Sequence, residues 1–260
     1  VTNWVYDPRA RTARINASDA GLQISSPIES SATLKGQSIG ILVDDVARRA
    51  GFVSSGDRDI DDTLGGSYQL DAFFYDPQKT ALQQIKDLLT IERGSAWVEP
   101  DGTFKMLTSA ERAARSPIGT LNPESYERSL PAVSTDNVVN SVTIEYRDQT
   151  SLELVTLTKE APASISQYGK NNRQISISYS IDVVRANAIG DAILNEGKDR
   201  ISAPVSTNVL ANYDQTTLLL ALSADLFDLI TIRGEDYEIA GISHGVARDS
   251  TAHWTNFVLR

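Results

Sequence analysis

His244 and His253 are the residues of this sequence best suited by type to act as a general base or a metal ligand. They fall at the end of one expected strand and just before the next, a placement that lets them face each other across a hairpin. Two imidazoles without a neighbouring carboxylate pattern make a poor zinc site, so a surface or interface role fits them better. The acid run Asp57-Arg58-Asp59-Ile60-Asp61-Asp62 has the charge density of a calcium loop but not its pattern. A helix–loop–helix calcium site needs glycine at its sixth position and a bidentate glutamate at its twelfth, where this chain has Asp62 and Tyr68. The run reads as a solvated loop. With 34 Asp and Glu, paired carboxylates for glycoside hydrolysis exist by type. None stands in an apolar, strand-end setting that would raise its pKa distinctively. Gly65-Gly66 and Gly234 lack the strand-to-helix context of a phosphate cradle. His-Glu-x-x-His does not occur. Trp97, Trp254 and Tyr75 supply rings for a sugar platform, although single aromatics on amphipathic strands more often belong to the core. With no cysteine there are no disulfides, no thiolate chemistry and no cysteine zinc site. The residues point to no catalytic, metal or cofactor-binding centre, and no enzyme activity or cofactor is expected of them.

The chain has 260 residues, 41% hydrophobic and 22% charged, enough for one large or two ordinary domains with a sizeable core. Its net charge is −10, and the basic residues are scattered, with Arg9/Arg11/Arg14 and Arg112/Arg115 the tightest groups. That balance argues against strong, specific binding to nucleic acid, which needs clustered Lys and Arg on phosphates. Solubility is the plain reading of the acidity. No apolar run approaches the ~20 residues of a membrane span; Leu218–Leu222 is the densest patch, and Asp225 closes it. The sequence starts at Val1 without an initiator Met or signal-peptide pattern, and an excerpt of a longer parent chain is expected.

These residues must be held by elements, and the pattern predicts an α+β chain of mostly antiparallel strands with about three helices. A short alternating strand, Ala13–Ala17, follows the turn Asp7-Pro8 and needs a pairing partner. Ser25 to Ser31 reads as a loop. Gln37 to Ala50 predicts an amphipathic helix, with Ile39, Leu42, Val43, Val46 and Ala50 inward and Gly51 as its stop. After a polar loop, Ser54 to Ser67, comes a strand from Tyr68 to Tyr75. A second helix is expected to open on Asp76 and Pro77, bury Leu82, Ile85, Leu88 and Leu89, and end at Gly94. A hairpin follows, Ala96–Val98 and Thr103–Leu107, turning at Glu99-Pro100-Asp101-Gly102. From Ala110 to Ser134 the Ser, Pro, Arg and Asn content reads as a linker. Asn137 to Asp148 is a strand with Val142, Ile144 and Tyr146 on one face and Thr143, Glu145 and Arg147 on the other. A second strand runs Leu152 to Leu157. After the stretch Ser164–Lys170 and a turn comes a third, Arg173 to Tyr179. Asp182 caps a helix with Val184, Ala188, Ile189, Ala192 and Ile193 inward, which Pro204 keeps from continuing. Val205–Leu210 is a strand; Leu218–Leu222 is helix or buried strand. Leu229–Ile232, Tyr237–Ser243 and Trp254–Leu259 form a closing meander around Gly234 and Arg248-Asp249. No period of 20 to 50 residues repeats.

In this order the pieces resemble the tail-hub proteins of tailed bacteriophages. The phrases that carry the resemblance are Ala13–Ala17, the helix Ser38–Ala50 with Gly51-Phe52, and Leu70-Asp71-Ala72-Phe73-Phe74-Tyr75 before a helix. Trp97-Val98-Glu99-Pro100-Asp101-Gly102-Thr103-Phe104, Asn137–Tyr146, Tyr168-Gly169 and the three closing strands complete the set. The likeness spans nearly the whole chain and is one of arrangement. It implies β-barrel-like tail-tube domains with an inserted α+β domain: 1–25 ending a first tube domain, 26–110 the α+β domain, 111–135 a linker, and 136–260 a second β domain with a helix at 182–200. It implies a ring subunit, commonly a trimer, in the baseplate or tail tip at the distal end of the virion's tail, connecting the tube to the host-recognition apparatus around a DNA channel. Implied partners are a distal tail ring protein, a tape-measure protein and receptor-binding fibres or a spike, with no membrane span. With strand alternation and net acidity, the resemblance makes Glu145, Asp148, Glu153 and Glu238 candidate channel-facing acids that keep DNA sliding.

Two further functions stand beside this one. A tail-associated cell-wall hydrolase or carbohydrate-binding module would show turnover or glycan binding. An injection-system component or adhesin would share the scaffold.

Overall fold

The computed structural model describes residues 3–7, 12–16, 33–61, 67–99, 101–128, 135–198, 205–210, 213–246 and 253–259. The chain starts with an antiparallel ribbon, β1 (Asn3–Asp7) with β2 (Thr12–Asn16), which supplies the partner that the second of these strands needed. β3 (Thr33–Ser38) leads straight into α1 (Ile39–Arg49), because the Ser38 hydroxyl accepts the Ile41 N–H and fixes the helix start. Ile39, Leu42, Val43 and Val46 are fully buried, as their spacing predicts; Ala47 joins them, whereas Ala50 is only half-buried. Gly51, at φ 118°, turns the chain out.

The polar run after it is not all loop. β4 (Arg58–Asp61) pairs in parallel with a later strand, and Arg58 anchors it by donating to Asp44 at 2.6 Å and to the Phe52, Val53 and Ser54 carbonyls. β5 (Gln69–Phe74) pairs antiparallel with β3. α2 (Ala81–Glu92) starts four residues later than Asp76-Pro77 implies. Asp76 closes a turn instead, its carbonyl accepting the Lys79 N–H, and Thr80 with Gln83 forms the capping box. Arg93 (φ 60°) is the left-handed cap of α2, the place expected of Gly94. β6 (Ser95–Val98) and β7 (Phe104–Leu107) form the expected hairpin, with β4 on the other side of β7.

α3 (Ser109–Ala114), β8 (Gly119–Thr120) and β9 (Tyr126–Arg128) occupy the stretch read as a linker. β10 (Ser141–Asp148) and β11 (Leu154–Glu160) precede α4 (Pro162–Tyr168), a helix with proline in its first turn, and then β12 (Asn172–Ile181). These strands form a sheet in the order β11-β10-β12. α5 (Val183–Gly197) starts at Asp182, whose carboxylate accepts the Arg185 N–H at 2.6 Å. Its buried side is Ala186, Ile189, Gly190 and Leu194; Ile189 was anticipated, whereas Val184 is exposed. β13 (Val205–Leu210) follows, then α6 (Gln215–Ser223), capped by Asp214, which settles Leu218–Leu222 as helix. β14 (Leu229–Ile232), β15 (Glu235–Val246) and β16 (His253–Leu259) form the meander. The expectations for Ser25–Ser31, Asp62–Gly66, Pro100, Pro204 and the Arg248-Asp249 loop fall outside the described residues.

The chain forms two compact units, one of 1–111, 144–157 and 175–189 and another of 112–143, 158–174 and 190–260. In the first, α1 packs on α2 beside the β3–β5 ribbon and the β4-β7-β6 sheet. Asp45 on α1 takes hydrogen bonds from Arg49 (Nε, 2.8 Å), Arg48 and the Tyr75 hydroxyl. Burial pushes its carboxyl up, but the hydrogen bonds from Arg49 and Arg48 outweigh it and hold the group below its ordinary value. A depressed folded pKa contributes stability above the unfolded pKa, near 3.8, that is lost as pH falls through the lower folded value. Urea midpoints measured at neutral pH and near pH 3 should therefore differ less for Asp45→Asn than for the wild type; an equal difference would rule the group out.

The second unit centres on a six-stranded sheet in the order β8-β14-β15-β16-β13-β9. β8 runs parallel to β14, and the other pairings are antiparallel. Chain length forces this sheet to curl. The Leu121 N–H donates to the Thr231 carbonyl on β14, while the Ser125 carbonyl accepts from Leu210 on β13. Four residue steps reach at most about 14 Å. Laid flat, five strand spacings would separate the two edges by roughly 24 Å. The edges therefore bend toward each other into a partly closed barrel. Leu121, Val209, Leu220, Ile230, Ile239, Phe257 and Leu259 fill its interior.

Candidate functional site

The strand alternation brings three of the four candidate acids to one hairpin. Glu145 lies half-buried on β10, on the face opposite Ile144 and Tyr146, which are buried. Asp148 ends that strand and organises the turn: its carboxylate accepts the backbone N–H groups of Thr150 (2.9 Å) and Ser151 (2.8 Å). The Ser151 and Thr150 backbone donors hold the carboxyl below the usual range. Glu153 is exposed at the turn's far end, and its carbonyl accepts the Asp148 N–H at 2.9 Å. Leu152 between them takes a left-handed conformation (φ 60°) with its side chain outward. Glu238 belongs to β15 in the other unit. Arg112 grips it with Nε at 3.1 Å and Nη2 at 2.9 Å, a forked pairing that balances its charge. Arg115 binds Asp228 at 3.0 Å in the same unit.

The histidines are not directly opposed. The β15–β16 register sets His244 against Thr255, with Nδ1 and Oγ1 2.9 Å apart, and His253 against Val246. Among the described residues no group of three or more His, Asp and Glu is placed to hold a metal. Within the acid run, Asp57 accepts the Ser54 N–H at 2.9 Å and Arg58 is bound as above, so these residues shape the chain. Tyr75 is buried against Asp45, and the Trp97 indole donates to Glu99 at 2.7 Å. Both rings are built into the fold. Trp254 is the outward-facing member of that set, 40% exposed.

Two polar nodes gave no sign in the sequence. In the first unit, Glu92 is 2% exposed and accepts from the Tyr68 N–H (2.9 Å) and from Arg185 (3.3 Å). Arg185 also donates to the Ile91 carbonyl at 2.8 Å and lies over the Tyr68 ring, 5.3 Å from its centroid. Burial lowers the pKa of its guanidinium, and Glu92 opposes the shift. The Tyr68 hydroxyl donates to Gln149 at 3.0 Å and accepts from the Asp182 N–H at 3.1 Å, completing a clasp of four chain segments. In the second unit the fully buried Asn140 amide donates to the Gly169 carbonyl (2.7 Å) and accepts the Asn171 N–H (2.8 Å), fixing the end of α4. A buried carboxylate and amide of this kind could be found only through partners distant in sequence.

The arrangement is a scaffold: a curled sheet, an α+β unit, and polar groups spent mostly on one another. Its fold is that of phage tail proteins. It matches 92% of this chain to 72% of a tail protein from Neisseria meningitidis, with 13% identity and a TM-score of 0.65. A 43 kDa prophage tail protein from Shewanella oneidensis matches over 92% of this chain and 70% of its own, with 14% identity and a TM-score of 0.61. A prophage tail protein from Listeria monocytogenes covers the same share of this chain at 10% identity and a TM-score of 0.51. No family model matches the sequence, and no curated protein does. Among the described residues no helix is long and apolar enough to cross a membrane.

Proposed function

We propose that this chain is a structural subunit of a phage or prophage tail, in the hub ring at the tail tip or baseplate. In this reading it connects the tail tube to the host-recognition apparatus and surrounds the channel for DNA. The observation that carries it is the fold shared with the tail proteins over nine-tenths of the chain. In this reading 1–25 ends a first tube domain, 26–110 is the α+β domain and 136–260 is the second β domain, with 111–135 joining them and lending β8 and β9 to the six-stranded sheet. Its partners are further copies in a trimer, a distal tail ring protein, a tape-measure protein, and receptor-binding fibres or a spike. Its work is assembly, not catalysis.

The chemistry supports a channel role. Glu145, Asp148 and Glu153 share one hairpin of an acidic chain, and a wall of like charge to DNA keeps it from sticking. Glu238, held by Arg112, serves the rim as a paired charge. The β11 and β12 strands lie at the edges of their sheet and offer backbone groups to a neighbouring copy.

Negative-stain microscopy and light scattering of the purified chain test this reading. The expected result is a closed ring of three subunits, without peptidoglycan turnover in a zymogram. A monomer at every concentration, or lytic activity, would overturn it. In particles, Glu145→Lys with Glu153→Lys should slow DNA ejection while leaving assembly intact. Unchanged ejection would remove these acids from the channel.

A further inference from the structure

Gly245 on β15 stands opposite Trp254 on β16, and Trp254 opposite Leu210 on β13, in one row across three strands. A Cβ added at Gly245 would lie 2.1 Å from Trp254 Cζ2, 2.2 Å from Cε2 and 2.7 Å from Cη2. Those three distances fix the ring's attitude. A point beyond the ring edge and nearly equidistant from Cε2 and Cζ2 would stand well over 3 Å from Cη2, given aromatic bond lengths of about 1.4 Å. A point on the ring normal reproduces all three values. The indole therefore lies face-down on the Gly245 backbone, roughly parallel to the sheet, and its other face points outward. Any side chain at 245 would lift it off.

The next row sets Asn208 opposite Asn256 and Asn256 opposite Ser243, with Glu127 of β9 on the other side of Asn208. A cavity of about 290 Å³ lined by Asn208, Val209, Leu210 and Trp254 adjoins the indole. That is at the small end of ligand pockets, roughly 300–1,000 Å³. Trp254 and Leu210 are 40% and 46% exposed, and Asn208 is exposed beside them.

We propose that this platform binds a neutral carbohydrate, one or two sugar rings seated on the outer face of Trp254 with the Asn208 amide at their hydroxyls. An indole face carries the negative lobe of its quadrupole and attracts the weakly positive C–H face of a pyranose. An exposed amide offers both a donor and an acceptor to a hydroxyl pair. Among the described residues none lining the cavity is Lys or Arg, which disfavours a nucleotide, whose phosphates call for them. The site is independent of the assembly role and adds a recognition function to it.

The test is isothermal titration calorimetry of the full chain with N-acetylchitotriose, cellotriose and maltotriose, with circular dichroism confirming that each variant folds. Saturable binding of at least one trisaccharide is expected. It should weaken about tenfold in Trp254→Ala, the loss of one stacking contact. Trp254→Phe should retain most of it, Trp97→Ala all of it, and Gly245→Val should reproduce the loss by displacing the ring. Absence of saturable heat with all three sugars, or unchanged binding in Trp254→Ala, would overturn the proposal. So would binding of a thymidine oligonucleotide in place of sugar, or a change in oligomeric mass as the only consequence of Trp254→Ala.

Discussion

Arg185→Met should lower the free energy of unfolding by about 3–5 kcal/mol, the cost of stranding a buried carboxylate. Glu92 is 2% exposed, and Arg185 is its cationic partner at 3.3 Å. The Tyr68 N–H would remain, but a neutral donor does not replace the Arg185 charge. The Ile91 carbonyl would lose the Arg185 Nε as well. Methionine keeps most of the apolar stem, so the loss reports charge and hydrogen bonding more than packing. Urea denaturation at neutral pH measures it. Adding Glu92→Gln should recover part of the loss, because without the Arg185 charge a neutral amide is cheaper to bury than a carboxylate. A double variant as unstable as the sum of the two single ones would deny any coupling within the clasp.

Gly94→Val is the second large effect, a loss of about 3 kcal/mol or more. A Cβ there would stand 2.4 Å from the Leu107 carbonyl oxygen and 3.2 Å from Leu89 Cδ2. The nearest atom is backbone of β7, so relief requires moving the β6–β7 hairpin or α2. Gly56→Ala is the control, since an added Cβ meets nothing within 4 Å, and it should stay within about 0.5 kcal/mol of wild type. Equal stabilities for the two variants in thermal or urea melts would contradict the close approach at 94.

Both sites show where the sequence speaks and where it falls silent. α1 was legible because Ser38, the apolar spacing and Gly51 agree with one another locally. The start of α2 was not, because Asp76-Pro77 and Thr80–Gln83 are two start signals four residues apart. The first serves a turn, and only the second is continued by buried Ala81 and Ile85. Gly94 was visible as a punctuation mark, yet its reason is contact with Leu107, and Arg93 takes the left-handed cap. On α5 the spacing put Val184, Ala188, Ile189, Ala192 and Ile193 inward; Val184 and Ala188 are exposed, and Ala186 and Gly190 lie on the buried face with Ile189 because small residues admit close packing. β8 and β9 carry hardly any local pattern, and their partners lie at 229–232 and 205–210. Among the candidate acids, Glu145 and Asp148 lie on β10 and Glu153 just before β11, whose alternating runs were visible while the Asp148 turn joining them was not. Glu238 could not be recognised as paired, since Arg112 stands 126 positions away. Trp254 was noticed as a ring, but its orientation depends on Gly245 across the strand.

The five-residue strap between Thr120 and Tyr126 also sets a timetable for biosynthesis. One of its ends docks on β14, whose first residue, Leu229, is made 109 positions after Thr120 (229 less 120). Emerging from the ribosome, residues 119–128 thus have no edge to join, while α1, α2 and the β6–β7 hairpin find their neighbours close by in sequence. The helical unit can begin to consolidate during translation, and the curled sheet shuts only after residues 229–232 have been released. Until then Leu121 stays in water, and this interval is when the nascent chain is most in need of shielding by a chaperone.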